Sequence, residues 1–347
     1  MMRRTRFVTT LRILLALCVL VALGACAPAV VKPEDQVPLV WPDELDAPPR
    51  IAFVKAFSRP DEFGIARGFF QRIADVIFGA SEARLIRPMA VLAVKGVVYV
   101  ADPGAKGVHR FDPVAERYDL IRGQDGSGLP SPIGLARGND GEVYVTDSEL
   151  AQVLVIRPGA KTAVPLALPK MGQPTGIAFD PATSRLIVID TAAHRANVFD
   201  RDGTLHSSFG RRGTEDGEFN YPTLLWRDAK GLMYVTDSLN FRIQVFDAQG
   251  QFVNQFGQLG DGAGDNIRQK GVATDSYGHV YIVDALFNAL QIFDSSGRLL
   301  LSVGTIGSDH GEFWLPAGIF IGDDNLIYIA DSHNQRVQIL RYIGGPT

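Results

Sequence analysis

Six aspartates carry the first chemical signal. Asp102, Asp147, Asp190, Asp237, Asp284 and Asp331 each end a short apolar run, at spacings of 45, 43, 47, 47 and 47 residues. Carboxylates gathered in a ring could hold a divalent cation or a polar substrate. Their recurrence once per repeat assigns them to structure instead, because a carboxylate at a strand end accepts the N–H groups of the following turn. Arg195, Arg242 and Arg336, each five residues beyond its aspartate, are placed to pair with it. Residues that differ between repeats are better candidates for function. After each aspartate they are Lys106, Glu149, His194, Asn240 with Phe241, Phe287 with Asn288, and His333 with Asn334. Such mixed aromatic and amide groups either cap their turns or form a binding surface. Lys270 is the one charged residue at its repeat position, either solvated at a rim or facing an anionic ligand. Two glycine-rich stretches, 123–128 and 260–264, do not lead from a strand into a helix and do not continue into Lys-Ser or Lys-Thr, so they read as surface turns.

The runs that position the aspartates alternate at period two: Val97–Asp102, Val143–Asp147, Leu186–Asp190, Leu232–Asp237, Val280–Asp284 and Leu326–Asp331. A fixed period in the forties with this alternation predicts propeller blades rather than helix pairs. Around Asp237 four strands, a to d, are separated by the turn segments 228–231 and 247–250. The expected fold is all-β, a six-bladed β-propeller over 50–347. The second residue after each repeat-opening proline, with Gln269 in its place in the fifth repeat, is Ala90, Gly134, Gly176, Leu224, Gly271 or Gly318, and small residues suit strands converging on an axis. Leu224 departs from that pattern and is expected to narrow the channel. The last repeat stops near Arg341 without a strand d, while residues 51–57 match one, so an N-terminal strand is expected to close the ring. Antiparallel order places the b-to-c turns and d-to-a loops on one face, and the irregular loops make it the expected working face. A helical insertion is expected at about 59–86. There Phe69, Phe70, Ile73 and Ile77 recur at helical spacing, as a packed cap or as a lid or docking element.

The N-terminus supplies an address. Arg3, Arg4, Arg6 and Arg12 precede or open an apolar run ending at Leu23, too short for a membrane-spanning helix of about 20 residues. Leu23-Gly24-Ala25-Cys26 resembles the lipobox of bacterial lipoproteins. This resemblance implies a signal peptide at 1–25 and lipidation of Cys26; Ala27 favours an outer membrane destination facing the periplasm. Residues 26–49 carry six prolines and predict an extended tether, in which Trp41 reads as an incidental linker aromatic. Loss of the leader leaves 30 basic against 38 acidic residues and no pair of thiols. A mildly acidic chain argues against nucleic acid as a partner.

The motif Asp237-Ser-Leu-Asn240-Phe-Arg242-Ile-Gln-Val-Phe246, echoed from Asp331 through Asn334 and Arg336, resembles the NHL repeat over roughly residues 50–341. The resemblance implies the propeller fold and admits several activities, including interaction domains, lyases and bacterial lipoproteins of unassigned role. NHL-type lyases bind zinc through histidines from several blades, and His194 resembles one such placement. The strand-a openings carry no histidine and only one charge, Lys270, so neither that zinc site nor the calcium site of lactonase-like propellers is predicted. The expectation is a monomeric, lipid-anchored envelope propeller without cofactor. It would bind a protein partner or ligand through His194, Asn240, Phe241, Lys270, Phe287, Asn288, His333 and Asn334. A zinc- or calcium-assisted lyase or hydrolase at the channel mouth is the alternative.

Overall fold

A computed structural model describes residues 39–42, 48–65, 83–260, 262, 264–265 and 267–344. Their regular structure is entirely β. Strands β1 (Val40–Trp41) and β2 (Ile51–Phe57) come first. The first group is then β3 (Ala90–Val94), β4 (Val97–Asp102), β5 (Gly107–Asp112) and β6 (Arg117–Gly123). The second is β7 (Pro132–Arg137), β8 (Val143–Asp147), β9 (Gln152–Ile156) and β10 (Thr162–Pro165). The third is β11 (Pro174–Asp180), β12 (Arg185–Asp190), β13 (Arg195–Phe199) and β14 (Leu205–Phe209). The fourth is β15 (Pro222–Arg227), β16 (Met233–Asp237), β17 (Arg242–Phe246) and β18 (Phe252–Phe256). The fifth is β19 (Gln269–Thr274), β20 (Val280–Asp284), β21 (Ala289–Phe293) and β22 (Leu299–Val303). The chain finishes with β23 (Ile319–Ile321), β24 (Leu326–Asp331) and β25 (Arg336–Tyr342).

Within each group the strands run antiparallel in chain order, because each connection is a short turn. The inner strands β3, β7, β11, β15, β19 and β23 neighbour one another in that order, and β23 returns to β3, so the sheets surround an axis. Small residues allow the approach: a Cβ on Gly271 would stand 2.7 Å from the Ile319 backbone nitrogen of the next inner strand. Hydroxyls then fasten group to group. Thr191 donates to the Pro222 carbonyl at 2.7 Å and Thr236 to the Lys270 carbonyl at 2.7 Å. The apolar side chains form clusters between adjacent sheets, each filled by strand residues of both neighbours.

The closing strand is the N-terminal one. β2 pairs antiparallel with β25, from Ile51 opposite Tyr342 to Phe57 opposite Val337. Phe57 is fully buried and meets Phe63 at 4.5 Å and Phe111 at 5.1 Å between ring centroids, so it joins the last sheet to the first. Two sequence expectations need correction here. Trp41 is not a linker aromatic: β1 adds a fifth strand beside β2, and Trp41 packs on the core next to Gly311, where a side chain would collide with its ring. The start of the expected insertion is not helical either. Residues 58–65 form turns whose Phe63 and Ile65 are buried. Phe69, Phe70, Ile73 and Ile77 lie outside the described residues, as do Cys26 and the leader.

Candidate functional site

The six aspartates sit where the sequence puts them, at the ends of the b strands, and all are buried. Each accepts a backbone N–H from the loop before its inner strand; the following turn adds backbone N–H groups at Asp102, Asp147, Asp190 and Asp284 and an asparagine side-chain amide at Asp237 and Asp331. Asp147 accepts Glu149 and Leu150 from the following turn and Ser131 from the loop before its own inner strand. The loop donors at the other repeats are Ile86 and Arg87, Gly172 and Gln173, Asn220, Ile267 and Arg268, and Trp314. One carboxylate per repeat therefore ties a d-to-a loop to a b-to-c turn, which makes the face a rigid frame.

Side chains extend this frame. Arg242 pairs with Asp237 at 3.0 Å and Arg336 with Asp331 at 2.8 Å, as their spacing predicts. Arg195 is exposed and makes no such pair among the described residues; Asp190 is served by backbone N–H groups alone. A residue seven positions after the aspartate also contributes. Gln244 donates to Asp237 at 3.0 Å and to the Glu218 carbonyl at 2.6 Å, and Gln338 repeats both bonds with Asp331 and Glu312. At the first repeat that place belongs to buried His109, 3.3 Å from Asp102 and bonded to the Tyr118 hydroxyl at 2.8 Å.

These differences change the carboxylates. Burial pushes Asp102 up, but the adjacent His109 ring and the Ile86 and Ala105 N–H groups outweigh it, leaving Asp102 below the usual range. Asp147 has no cationic or amide side-chain partner, and burial prevails over its N–H donors, so its carboxyl is raised.

Most of the sequence-selected turn residues are consumed by this frame. Asn240 donates to the Gly213 carbonyl and to Asp237, and Asn334 does the same with Gly307 and Asp331. Asn288 donates to the Leu286 carbonyl and accepts from the Leu315 N–H. His194 is buried, its Nδ1 within hydrogen-bond distance of the Tyr221 N–H at 3.1 Å and of the Phe219 carbonyl at 3.3 Å. The fourth residue after every aspartate, Lys106, Ala151, His194, Phe241, Asn288 or Gln335, has φ between 52° and 57°. His194, Phe241 and Asn288 thus hold a turn position common to all repeats.

What remains on the surface is apolar. Leu239, at 51 % exposure, and Leu286, at 48 %, project from b-to-c turns. Ile306, at 66 %, lies in a d-to-a loop with exposed Trp314. His333 is exposed and lies against Trp314, tilted, with ring centroids 3.9 Å apart, while Phe241 and Phe287 are half-buried. The loops bearing these groups are themselves fixed: Phe219 and Phe313 are buried anchors, and Glu218 accepts the Thr214 and Glu215 N–H groups. No composition signal marks the leucines, because in a chain this apolar they read as core.

Lys270 is half-buried at the inner-strand opening. Its ammonium makes no hydrogen bond or ion pair among the described residues, and burial together with neighbouring Arg268 lowers its pKa. Among the described residues no three His, Cys, Asp or Glu side chains gather to hold a metal ion. His194 is committed to Tyr221 and does not converge with another histidine among the described residues.

Ring, sheets and rigid face define a β-propeller, and the comparisons agree. Residues 313–340, from the loop anchor Phe313 through β25, match the NHL repeat. No curated protein matches the sequence. An auxiliary nutrient binding protein from Bacteroides thetaiotaomicron superposes with a TM-score of 0.60 at 14% identity, over 76% of this chain and 71% of its own. One from Bacteroides ovatus gives 0.59 at 12%, over 74% and 69%. Virginiamycin B lyase from Staphylococcus aureus gives 0.54 at 14%, over 83% and 99%. At such identities the likeness is one of fold. The chain is a β-propeller that carries an NHL repeat.

Proposed function

We propose that this protein is a lipid-anchored envelope propeller that docks a protein partner through its b-to-c and d-to-a face. The observation carrying this reading is the set of exposed Leu239, Leu286, Ile306 and Trp314 side chains on a face whose turn amides Asn240, Asn288 and Asn334 are already bonded. Apolar groups held on a rigid frame lose little freedom on docking, and exposed apolar patches of this kind mark interaction sites. Similarity to two nutrient binding proteins supports binding rather than chemistry by analogy only. In this reading Cys26 carries the lipid and the propeller faces the periplasm as a monomer.

The docking test places a photo-crosslinking residue at Leu239 and, separately, at Val114 on a c-to-d hairpin of the other face. A partner captured from Leu239, absent from Val114, and lost when Leu286→Asp and Trp314→Ala are combined is the expected result. Equal capture from both positions, or capture that survives the double substitution, rejects the assignment. The anchor has its own test: Cys26→Ser is expected to release the chain from membranes or to leave the precursor uncut, and normal membrane retention would reject lipidation.

A further inference from the structure

The axial cavity, of about 180 Å³, does not reach the openings of the inner strands. Its lining runs from the small residues Gly134, Gly176, Gly271 and Gly318 toward Arg137 and Arg227 at the other end, and Lys270 takes no part in it. It shares Arg137, Phe179, Trp226, Arg227 and Phe320 with a wider recess of about 770 Å³ among the a-to-b hairpins. This cavity mouth is therefore on the face opposite the one bearing Leu239 and Trp314.

Its chemistry is apolar with one free charge. Trp226 and Phe320 meet edge to face at 5.7 Å, and the Trp226 indole N–H is spent on Thr274 at 2.9 Å, which fixes the ring. Arg227 is spent on Asp180 at 2.8 Å. Asp275, in the recess wall, is surrounded by donors from Tyr277, His279 and Tyr281. Arg137 is exposed and has no hydrogen bond or ion pair among the described residues. It is the unspent cation common to cavity and recess. A guanidinium prefers a planar oxyanion, which it binds with two parallel N–H donors. The recess is lined by Asp228, Asp275 and Asp323 against Lys230 and the two arginines, a balanced set that suits a singly charged anion better than a multiply charged one. Trp226, Phe179 and Phe320 offer ring faces and edges to a flat body. A cavity of about 180 Å³ opening into this recess suits a small-molecule guest.

We propose that the a-to-b end of the axial cavity binds a small aromatic monocarboxylate, its carboxylate on Arg137 and its ring among Trp226, Phe179 and Phe320. This site is independent of the protein-docking face.

Calorimetric titration of the full chain with indole-3-acetate and phenylacetate, and with tryptamine as a cationic ring control, tests the proposal. Saturable one-to-one binding of at least one acid is expected, with no binding of tryptamine. Arg137→Gln, at an exposed position that the fold does not use, is expected to weaken the acid by about tenfold or more, as befits loss of a charge-assisted bond. Leu286→Asp, on the other face, is expected to leave it unchanged. Absence of saturable binding for both acids, equal binding of tryptamine, or an Arg137→Gln variant that binds as tightly as the parent overturns it.

Discussion

At the scale of the residue, the repeated aspartates differ in what removal should cost. Asp237 faces Arg242, which is itself buried, so Asp237→Asn leaves a desolvated cation with a weaker partner. Breaking a buried pair in this way costs about 3–5 kcal/mol, read as a fall in the urea midpoint. Asp147→Asn is expected to cost about 1 kcal/mol or less, since burial already opposes its charge and no cation is orphaned. The two kinds of site also respond oppositely to acid. Asp102 has a lowered pKa in the fold, so its contribution is present above the unfolded carboxylate value and is lost as pH falls through the folded one. Asp147 has a raised pKa, so the fold gains stability as pH falls from above its folded value toward the unfolded one. Stability curves between pH 3 and pH 7 for Asp102→Asn and Asp147→Asn should therefore diverge from the parent in opposite senses.

At the scale of the element, the b-to-c turn is the unit that was partly legible. Its aspartate and its arginine at the fifth position follow from spacing alone. The left-handed residue between them does not, because Lys, Ala, His, Phe, Asn and Gln occupy it and only His194 and Asn288 belong to the residues enriched in that region. A left-handed backbone costs an ordinary residue roughly 1–2 kcal/mol, partly offset in the unfolded state when glycine replaces it. Ala151→Gly is therefore expected to stabilise the protein by about 0.5–1 kcal/mol, measured by urea denaturation. The amides Asn240, Asn288 and Asn334 looked like surface chemistry because a sequence does not show which carbonyl lies within reach. Asn240 and Asn334 bond to carbonyls of a neighbouring loop 27 residues away, and Asn288 to the Leu286 carbonyl of its own turn. The exposed leucines were hidden for the converse reason: an apolar residue in a short turn gives no periodicity by which to place it outside.

At the scale of the whole molecule, the ring was legible because one spacing recurs through the chain and the last repeat lacks a strand that residues 51–57 can supply. The packing at the seam was not. Phe57 joins sheets from opposite ends of the sequence, and Phe57→Ala is expected to cost about 3–5 kcal/mol, lowering Tm by about 10 °C in a scanning calorimeter. β1 completes that seam with the Arg50 N–H on the Trp41 carbonyl at 2.6 Å and the Phe53 N–H on the Leu39 carbonyl at 2.8 Å. This outermost strand also sets how the propeller would bear load. Tension applied through residues before 39 meets the two residue pairs of β1 first and the longer β2–β25 ladder only afterwards. On this geometry β1 would act as a mechanical fuse, its two-pair ladder yielding before the longer β2–β25 ladder that closes the ring.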